Sequence, residues 1–162
     1  MENIYLRKAT VTDCADLQEA FARSAEFWMP WSYPPADVEQ YIKLQEVYLL
    51  CRDSDLVGVF SISGISRGLF HSAYLGYNVF VPHQNKGYMS QGIRLLLKEA
   101  FNNLKLHRLE AGIQPGNYPS IKLVSKAGFL KEGFSPKYLR IGGEWRDHER
   151  WAILNDEWQP EA

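Results

Sequence analysis

The 162-residue chain has no apolar run near the ~20 residues a spanning helix needs, so no helical membrane protein is expected. It has no bias of charge. Its 18 basic and 19 acidic side chains leave a net −1, which argues against bulk nucleic-acid binding and against a charged membrane surface as partner. Cysteine is scarce: Cys14 and Cys51 stand in no metal-ligand spacing and read as reduced thiols of a cytoplasmic protein. His71, His107 and His148 are too dispersed for a metal centre, and none is expected. Met1-Glu2-Asn3-Ile4 lacks the basic start and apolar core of a signal peptide. Repeats, low-complexity segments and linkers are missing too, which leaves one domain with a real core.

Aromatic residues are plentiful, with 5 Trp, 9 Tyr and 8 Phe, several outside clean periodic patterns; that hints at a lined cleft as well as a core. Ile4 to Lys8 alternates as a short strand, and Thr10 or Thr12 opens a helix that ends at Trp28-Met29-Pro30-Trp31. A second helix is expected over about Ala36 to Glu46. Val47 to Cys51 and Leu56 to Ile65 form a hairpin around Arg52-Asp53-Ser54-Asp55, with Gly58 as a bulge. Tyr74 to Val81 is a β-rich run that stops at Pro82. After a polar turn, Met89, Ile93, Leu96, Leu97, Ala100 and Leu104 make a helical stripe. His107 to Gln114 is a strand, and Asn117-Tyr118-Pro119-Ser120 opens a helix closed by Gly128. Phe129 to Leu139 and Glu144 to Leu154 follow as strands joined by Gly142-Gly143, and a polar, frayed tail completes the chain.

The turn Gln84-Asn85-Lys86-Gly87-Tyr88-Met89 is the chemical centre of this plan. Strand, tight turn and helix present open N–H groups and a helix dipole to an anion. No acidic residue lies between Gln84 and Lys98, and Gly87 lets the backbone approach closely. The spacing is not that of a Gly-x4-Gly-Lys-Ser/Thr phosphate loop, and no aspartate serves a nicotinamide-cofactor ribose. Asn117 and Ser120 read two ways from spacing alone: as a helix cap or as a site pair.

Four pieces carry a resemblance. They are Ala73-Tyr74-Leu75-Gly76-Tyr77; Gln84-x-x-Gly87-x-Met89; Arg108-Leu109-Glu110-Ala111 with Asn117-x-x-Ser120 and Lys126-Ala127-Gly128-Phe129; and Trp28-Met29-Pro30-Trp31. With them the chain resembles the GNAT superfamily of N-acetyltransferases. More narrowly it resembles the RimJ/RimL-like branch, which acetylates the N-terminal alanine of ribosomal proteins. The fold implied is α/β (α+β). One GNAT-like domain over 1–155 holds a mixed, twisted sheet of six or seven strands with helices on both faces; 156–162 is the polar tail.

The resemblance implies acetyl-CoA as co-substrate, with no metal. It places the cofactor against Val79, Val81, Gln84, Asn85, Lys86, Gly87, Tyr88, Met89, Asn117, Ser120 and Lys126. The amine attacks the thioester directly, the Val79 backbone N–H holds the oxyanion, and Ser120 serves the leaving thiolate. Met89 departs from the small residue usual at its place and is expected to point inward. Lys122 and Lys126 read either as phosphate contacts or as a solvated face.

Two departures stand out. The family's tyrosine acid falls at Val124, and a glutamate base seen in some members falls at Leu139. Glu110, His83, Tyr77 and Tyr138 are left as bases, Glu110 first, against its reading as an ordinary strand carboxylate. A peptide α-amine with pKa ~7.7–8.0 needs less help than a lysine near ~10.4, so a missing base favours an α-amine acceptor. Trp28, Trp31, Tyr33 and Tyr41 either wall the acceptor or pack a loop; Tyr77 and Tyr138 join the acceptor side. The expected partner is a protein or peptide N-terminus, with a small amine (polyamine, amino acid or antibiotic) as alternative and a silent acyl-CoA-binding module as a third reading. No nucleic acid or membrane is expected, and the chain would act as a monomer or homodimer.

Overall fold

A computed structural model describes residues 2–160. Its seven strands form one mixed sheet in the order β1-β2-β3-β4-β5-β7-β6. The strands are β1 (Ile4–Lys8), β2 (Glu46–Arg52), β3 (Asp55–Ser66), β4 (Ser72–Val79), β5 (Arg108–Ile113), β6 (Leu130–Ile141) and β7 (Glu144–Leu154). The helices are α1 (Cys14–Trp28), α2 (Val38–Lys43), α3 (Tyr88–Lys98) and α4 (Tyr118–Ala127). The α/β architecture with helices on both faces is as expected. The second helix is shorter than the Ala36 to Glu46 expected, because Glu46 already pairs with Ile62 in the sheet.

Each face has its own core. Ile93 and Leu96 of α3, Ala100 in the turn just beyond it and Val124 of α4 pack with Phe60, Ile62, Leu109 and Ile113 on one side. Leu17, Phe21 and Trp28 of α1 pack with Val47, Leu49, Val59 and Phe80 on the other. This is the amphipathic logic of the sequence: each helix buries one stripe, and the two-sided strands are apolar on both faces. Gly92 lets α3 lie close on the sheet, since a Cβ there would stand 2.7 Å from Leu50 Cδ2 and 2.9 Å from Phe60 Cε2.

The feature that positions the site is a splay. Among the described residues β4 and β5 are the parallel pair, joined only where Ser72–Tyr74 meet Arg108–Glu110. Beyond Tyr74 the strands part. Ala111–Ile113 stay with β7, opposite Trp151–Glu149, while Leu75–Val79 stay with β3. The end of β4 is fastened on the β3 side as well: Phe80 N–H donates to Val57 O at 2.9 Å. A wedge therefore opens between Leu75–Val79 and Ala111–Ile113.

The tail is not frayed at Trp158, whose indole N–H donates to Lys105 O at 2.9 Å and whose ring lies 4.8 Å from that of His71. What was expected of Met1, Glu161 and Ala162 lies outside the described residues.

Candidate active site

Two cavities open into the wedge. One, of about 430 Å³, lies against the turn before α3 and is lined by His83 to Ser90, Val79, Pro119 and Leu123. The other, of about 580 Å³, is lined by Ser61, Tyr74, Gly76, Gly112, Gln114, Tyr138, Leu139 and His148. They share five residues: Trp31, Tyr77, Asn78, Asn117 and Ser120. A reaction between two ligands entering from opposite sides has its meeting point there.

The first cavity has the features of an anion site. Gly87 takes φ +78°, in the left-handed region, and caps α3, whose first turn carries no acidic residue. Asn85 is left-handed as well, at φ 60°, so the turn has two left-handed positions, an element of the backbone nests that bind anions. The N–H groups of the first turn have no carbonyl four residues back and are open to a ligand. Burial first, then the Arg52 cation, push the His83 imidazole below its ordinary value; Lys86 and Arg23 act in the same direction. A neutral ring amid cations marks a positive field. The Gln84 side-chain amide has a buried oxygen without a partner. Free backbone amides and cations fit a pyrophosphate; the Gln84 oxygen only accepts and would need a donor group of the ligand. Tyr88 is buried, its hydroxyl held by Arg52 at 2.7 Å, so it faces a ligand only with its backbone. Met89 packs against the core, as expected.

The junction is where β4 meets α4. Successive residues of an antiparallel ladder turn N–H and C=O alternately toward and away from a neighbour. Phe80 faces β3, so Val79 turns away, and its carbonyl accepts from Trp28 Nε1 at 2.6 Å. The Val79 N–H consequently points into the wedge. Tyr77 Oη lies 2.5 Å from Ser120 Oγ, and burial pushes the phenol up to about 12, so it keeps its proton near neutrality. Asn117 stands at the cap position of α4, yet its side chain makes no capping hydrogen bond. The side chain is left to the junction, and capping is not its role. Val124, at the place of the family's tyrosine, is fully buried; Tyr77 brings a phenol to the same serine from β4.

Several residues read from the sequence are not brought here. The Val81 amide is taken by Ser24 Oγ at 3.1 Å and is not free for a cofactor. Lys126 is exposed on α4 and lines neither cavity, as is Lys122. Glu110 is held by Arg108, which Glu132 also engages, and lies outside both linings, so the ordinary strand carboxylate is the better reading. Trp28 lines the first cavity and not the second; buried against Phe21 and Phe80, it serves the core and the Val79 carbonyl rather than an acceptor wall. Tyr41 likewise packs edge-on to Phe21. Tyr33 lies against Gly142 of the β6–β7 hairpin and lines neither cavity. Trp31, Tyr77 and Tyr138 do line the second cavity.

The sequence reading missed Gln114, whose amide donates to Trp31 O at 3.2 Å and ties the aromatic loop to β5. It weighed His148 only as a metal ligand. Among the described residues no group of three or more His, Cys, Asp or Glu could hold a metal ion, and no helix is long and apolar enough to cross a membrane.

Known proteins share this plan. The acetyltransferase (GNAT) domain family matches residues 3–130. The probable N-acetyltransferase YjcK of Bacillus subtilis (strain 168) is 34% identical over 95% of this chain and 95% of its own length. The ribosomal protein uS5-alanine N-acetyltransferase of Escherichia coli (strain K12) is 35% identical over 67% of this chain but only 56% of that enzyme. Among solved structures, the ribosomal-protein-S5-alanine acetyltransferase of Vibrio fischeri superposes with TM-score 0.89 at 27% identity, covering 99% of this chain and 97% of that one. The spermidine N-acetyltransferase of Vibrio cholerae, in complex with CoA and spermine, shares the fold with TM-score 0.81 at 21% identity, over 96% and 97% of the two chains.

Proposed function

Since this chain belongs to the acetyltransferase (GNAT) family and is an N-acetyltransferase, we propose that it carries acetyl groups from acetyl-CoA to the α-amine of a protein or peptide N-terminus. The observation that carries this reading is the lining of the second cavity, which contains no Asp, Glu, Lys or Arg. A polyamine brings several positive charges and needs carboxylates to replace its water; burying unpaired charges is costly. A single α-amine bearing a small neutral residue suits a wall of Tyr, Ser, Asn, Gln and Trp. Such an amine is also the one that loses its proton most readily, at pKa ~7.7–8.0. The Escherichia coli and Vibrio fischeri relatives, named for the alanine of a ribosomal protein, support the same class of acceptor.

In this reading the turn Gln84 to Met89 holds the pyrophosphate of the donor. The Val79 N–H receives the negative charge that develops on the thioester oxygen as the amine attacks. Such a fixed backbone donor stabilises the transition state without reorganisation. Ser120 passes a proton to the departing sulfur, with the Tyr77 phenol behind it as the reservoir, and Asn117 and Asn78 steer the reacting ends at the junction.

The test is to incubate the protein with acetyl-CoA and a panel of peptides differing in their first residue, beside spermidine and free amino acids, and to read mass gain. Acetylation of peptides with small neutral first residues is expected. Mass gain confined to spermidine or amino acids would overturn the acceptor assignment. Binding of acetyl-CoA with no transfer to any amine would leave a silent binding module.

A further inference from the structure

His148 is the one side chain of the second cavity's lining that carries a basic nitrogen. It sits on β7 opposite Ser135 of β6, one residue beyond the last β5–β7 pair, Ile113 with Glu149. It is buried, at 3% exposure. Its Nδ1 lies 2.9 Å from the carbonyl oxygen of Arg146. A carbonyl only accepts, so Nδ1 carries the proton and the lone pair of the neutral ring is on Nε2. Nε2 takes no hydrogen bond from a described residue, and it is not among the sealed, unpartnered atoms, unlike Nδ1 of His71 and of His83. The ring edge faces the cavity floor, where a Cβ on Gly112 would stand 3.6 Å from His148 Cδ2, 3.5 Å from Tyr138 Cε2 and 3.9 Å from Leu139 Cδ1.

We propose that His148 is the general base that takes the proton from the acceptor amine. This deepens the acetyl-transfer reading above and rests on it, but not on whether the acceptor is a peptide. The backbone at Arg146 fixes the tautomer, and Gly112 leaves the approach open. The acceptor ammonium gives one proton to Nε2, which returns it to solvent. The freed lone pair attacks the thioester carbon and a C–N bond forms. The C–S bond breaks, and the second proton lost by nitrogen balances the one that Ser120 delivers to sulfur.

The groups around the ring are Arg146 and Arg150 on its own strand, Tyr138 from β6 at 5.8 Å, Tyr74 from β4, and Glu110 from β5 beyond Tyr138. Burial first, then Tyr74 and Glu110, push the Tyr138 phenol above its ordinary value, so Tyr138 stays protonated and is no rival base. Glu110 is occupied by Arg108.

The experiment compares wild type, His148→Gln and His148→Ala with whichever amine the wild type accepts, at saturating acetyl-CoA and amine, across pH. In both variants kcat near neutrality is expected to fall about 10²-fold, the lower end for a lost general base, while the acetyl-CoA Kd stays within about twofold. The acid limb of kcat moves to higher pH in the Gln variant. Added imidazole restores turnover to the Ala variant in proportion to its concentration. A kcat within about threefold of wild type overturns the proposal, since a lost base costs far more. So does a loss that imidazole leaves untouched with the acid limb in place, which would make His148 a packing residue. If the wild type acetylates small amines and no peptide, the acceptor assignment fails, and the same pH and rescue data still decide His148.

Discussion

The two cavities that meet at Ser120 are made in different ways. The anion-binding side takes its longest continuous stretch of wall from one run of chain, His83 to Ser90, and offers the backbone of that turn. The acceptor side is assembled from the loop after α1, from β3, β4, β5 and β6, and from a single residue of β7, and it presents side chains. A backbone cradle needs a turn geometry and an absence of acids; many sequences satisfy it. A side-chain wall depends on register and packing across the whole sheet. The cofactor half can thus stay constant while the acceptor half changes with a few distant substitutions. The Tyr77 and Ser120 junction belongs to both halves, because one strand and one helix present it to the wedge from opposite sides.

The sharpest test of that division is Ser120→Ala. If Ser120 serves the sulfur at the junction, kcat falls about 10²-fold while the acetyl-CoA Kd, measured by calorimetry, changes little. A collapse of cofactor affinity with kcat preserved would move Ser120 into the anion half and break the comparison at its centre. Next come two opposed substitutions. Gly87→Val forces a β-branched residue to φ +78°, where left-handed backbone costs about 1–2 kcal/mol. The acetyl-CoA Kd should weaken about tenfold, with the acceptor KM unchanged. Gly112→Leu fills the other cavity. A Cβ there meets only ordinary contacts at 3.5 to 3.9 Å, from Tyr138, His148 and Leu139, so a side chain at this position enters the acceptor space beside those groups. The acceptor KM should rise about tenfold, the scale of a misplaced methylene in a pocket, with cofactor Kd unchanged. If either variant moves both constants, the halves are coupled and not modular.

The same contrast decides what the sequence could disclose. Pro82, Gly87 and the acid-free stretch to Lys98 are neighbours in the chain, and so a turn opening a helix was readable, and every residue from Gln84 to Met89 lines the first cavity. The strands and helices followed from their periods. Tyr33 was misplaced because an aromatic loop has no period and its ring turned where tertiary contact demanded, whereas Trp28 continues the Leu17, Phe21 and Ser24 stripe of α1 and was legible as core. The Trp28 indole found the Val79 carbonyl, and Tyr33 found Gly142. Val81 could not be excluded without knowing that Ser24 of a distant helix reaches its amide. Glu110 was open to better reading, since Arg108 lies two residues away on the same strand face. His148 was out of reach: its place at the cavity depends on the register of β7 against β5 and β6, which no local pattern encodes.

The smallest expected effect separates the halves by pH. His83 lines only the anion side, and burial together with Arg52, Lys86 and Arg23 holds its imidazole below the ordinary value; Asp55 opposes them. Protonation is easier in the unfolded chain than in the folded one, so the free protein is favoured above the unfolded value of ~6.5 and loses that stability as pH falls through the folded value. A bound pyrophosphate reverses part of this, because negative charge beside the ring favours its protonated form. Acetyl-CoA binding near pH 6 should therefore take up a fraction of a proton, seen as a binding heat that varies with the buffer's ionisation enthalpy. Titratable phosphate on the ligand contributes as well, and His83→Asn isolates the protein's share by subtraction. A smaller uptake in the variant places His83 beside the anion. Equal uptake in the two proteins would show that the ligand's charge does not reach His83, and that the positive field around the ring belongs to the fold rather than to the cofactor.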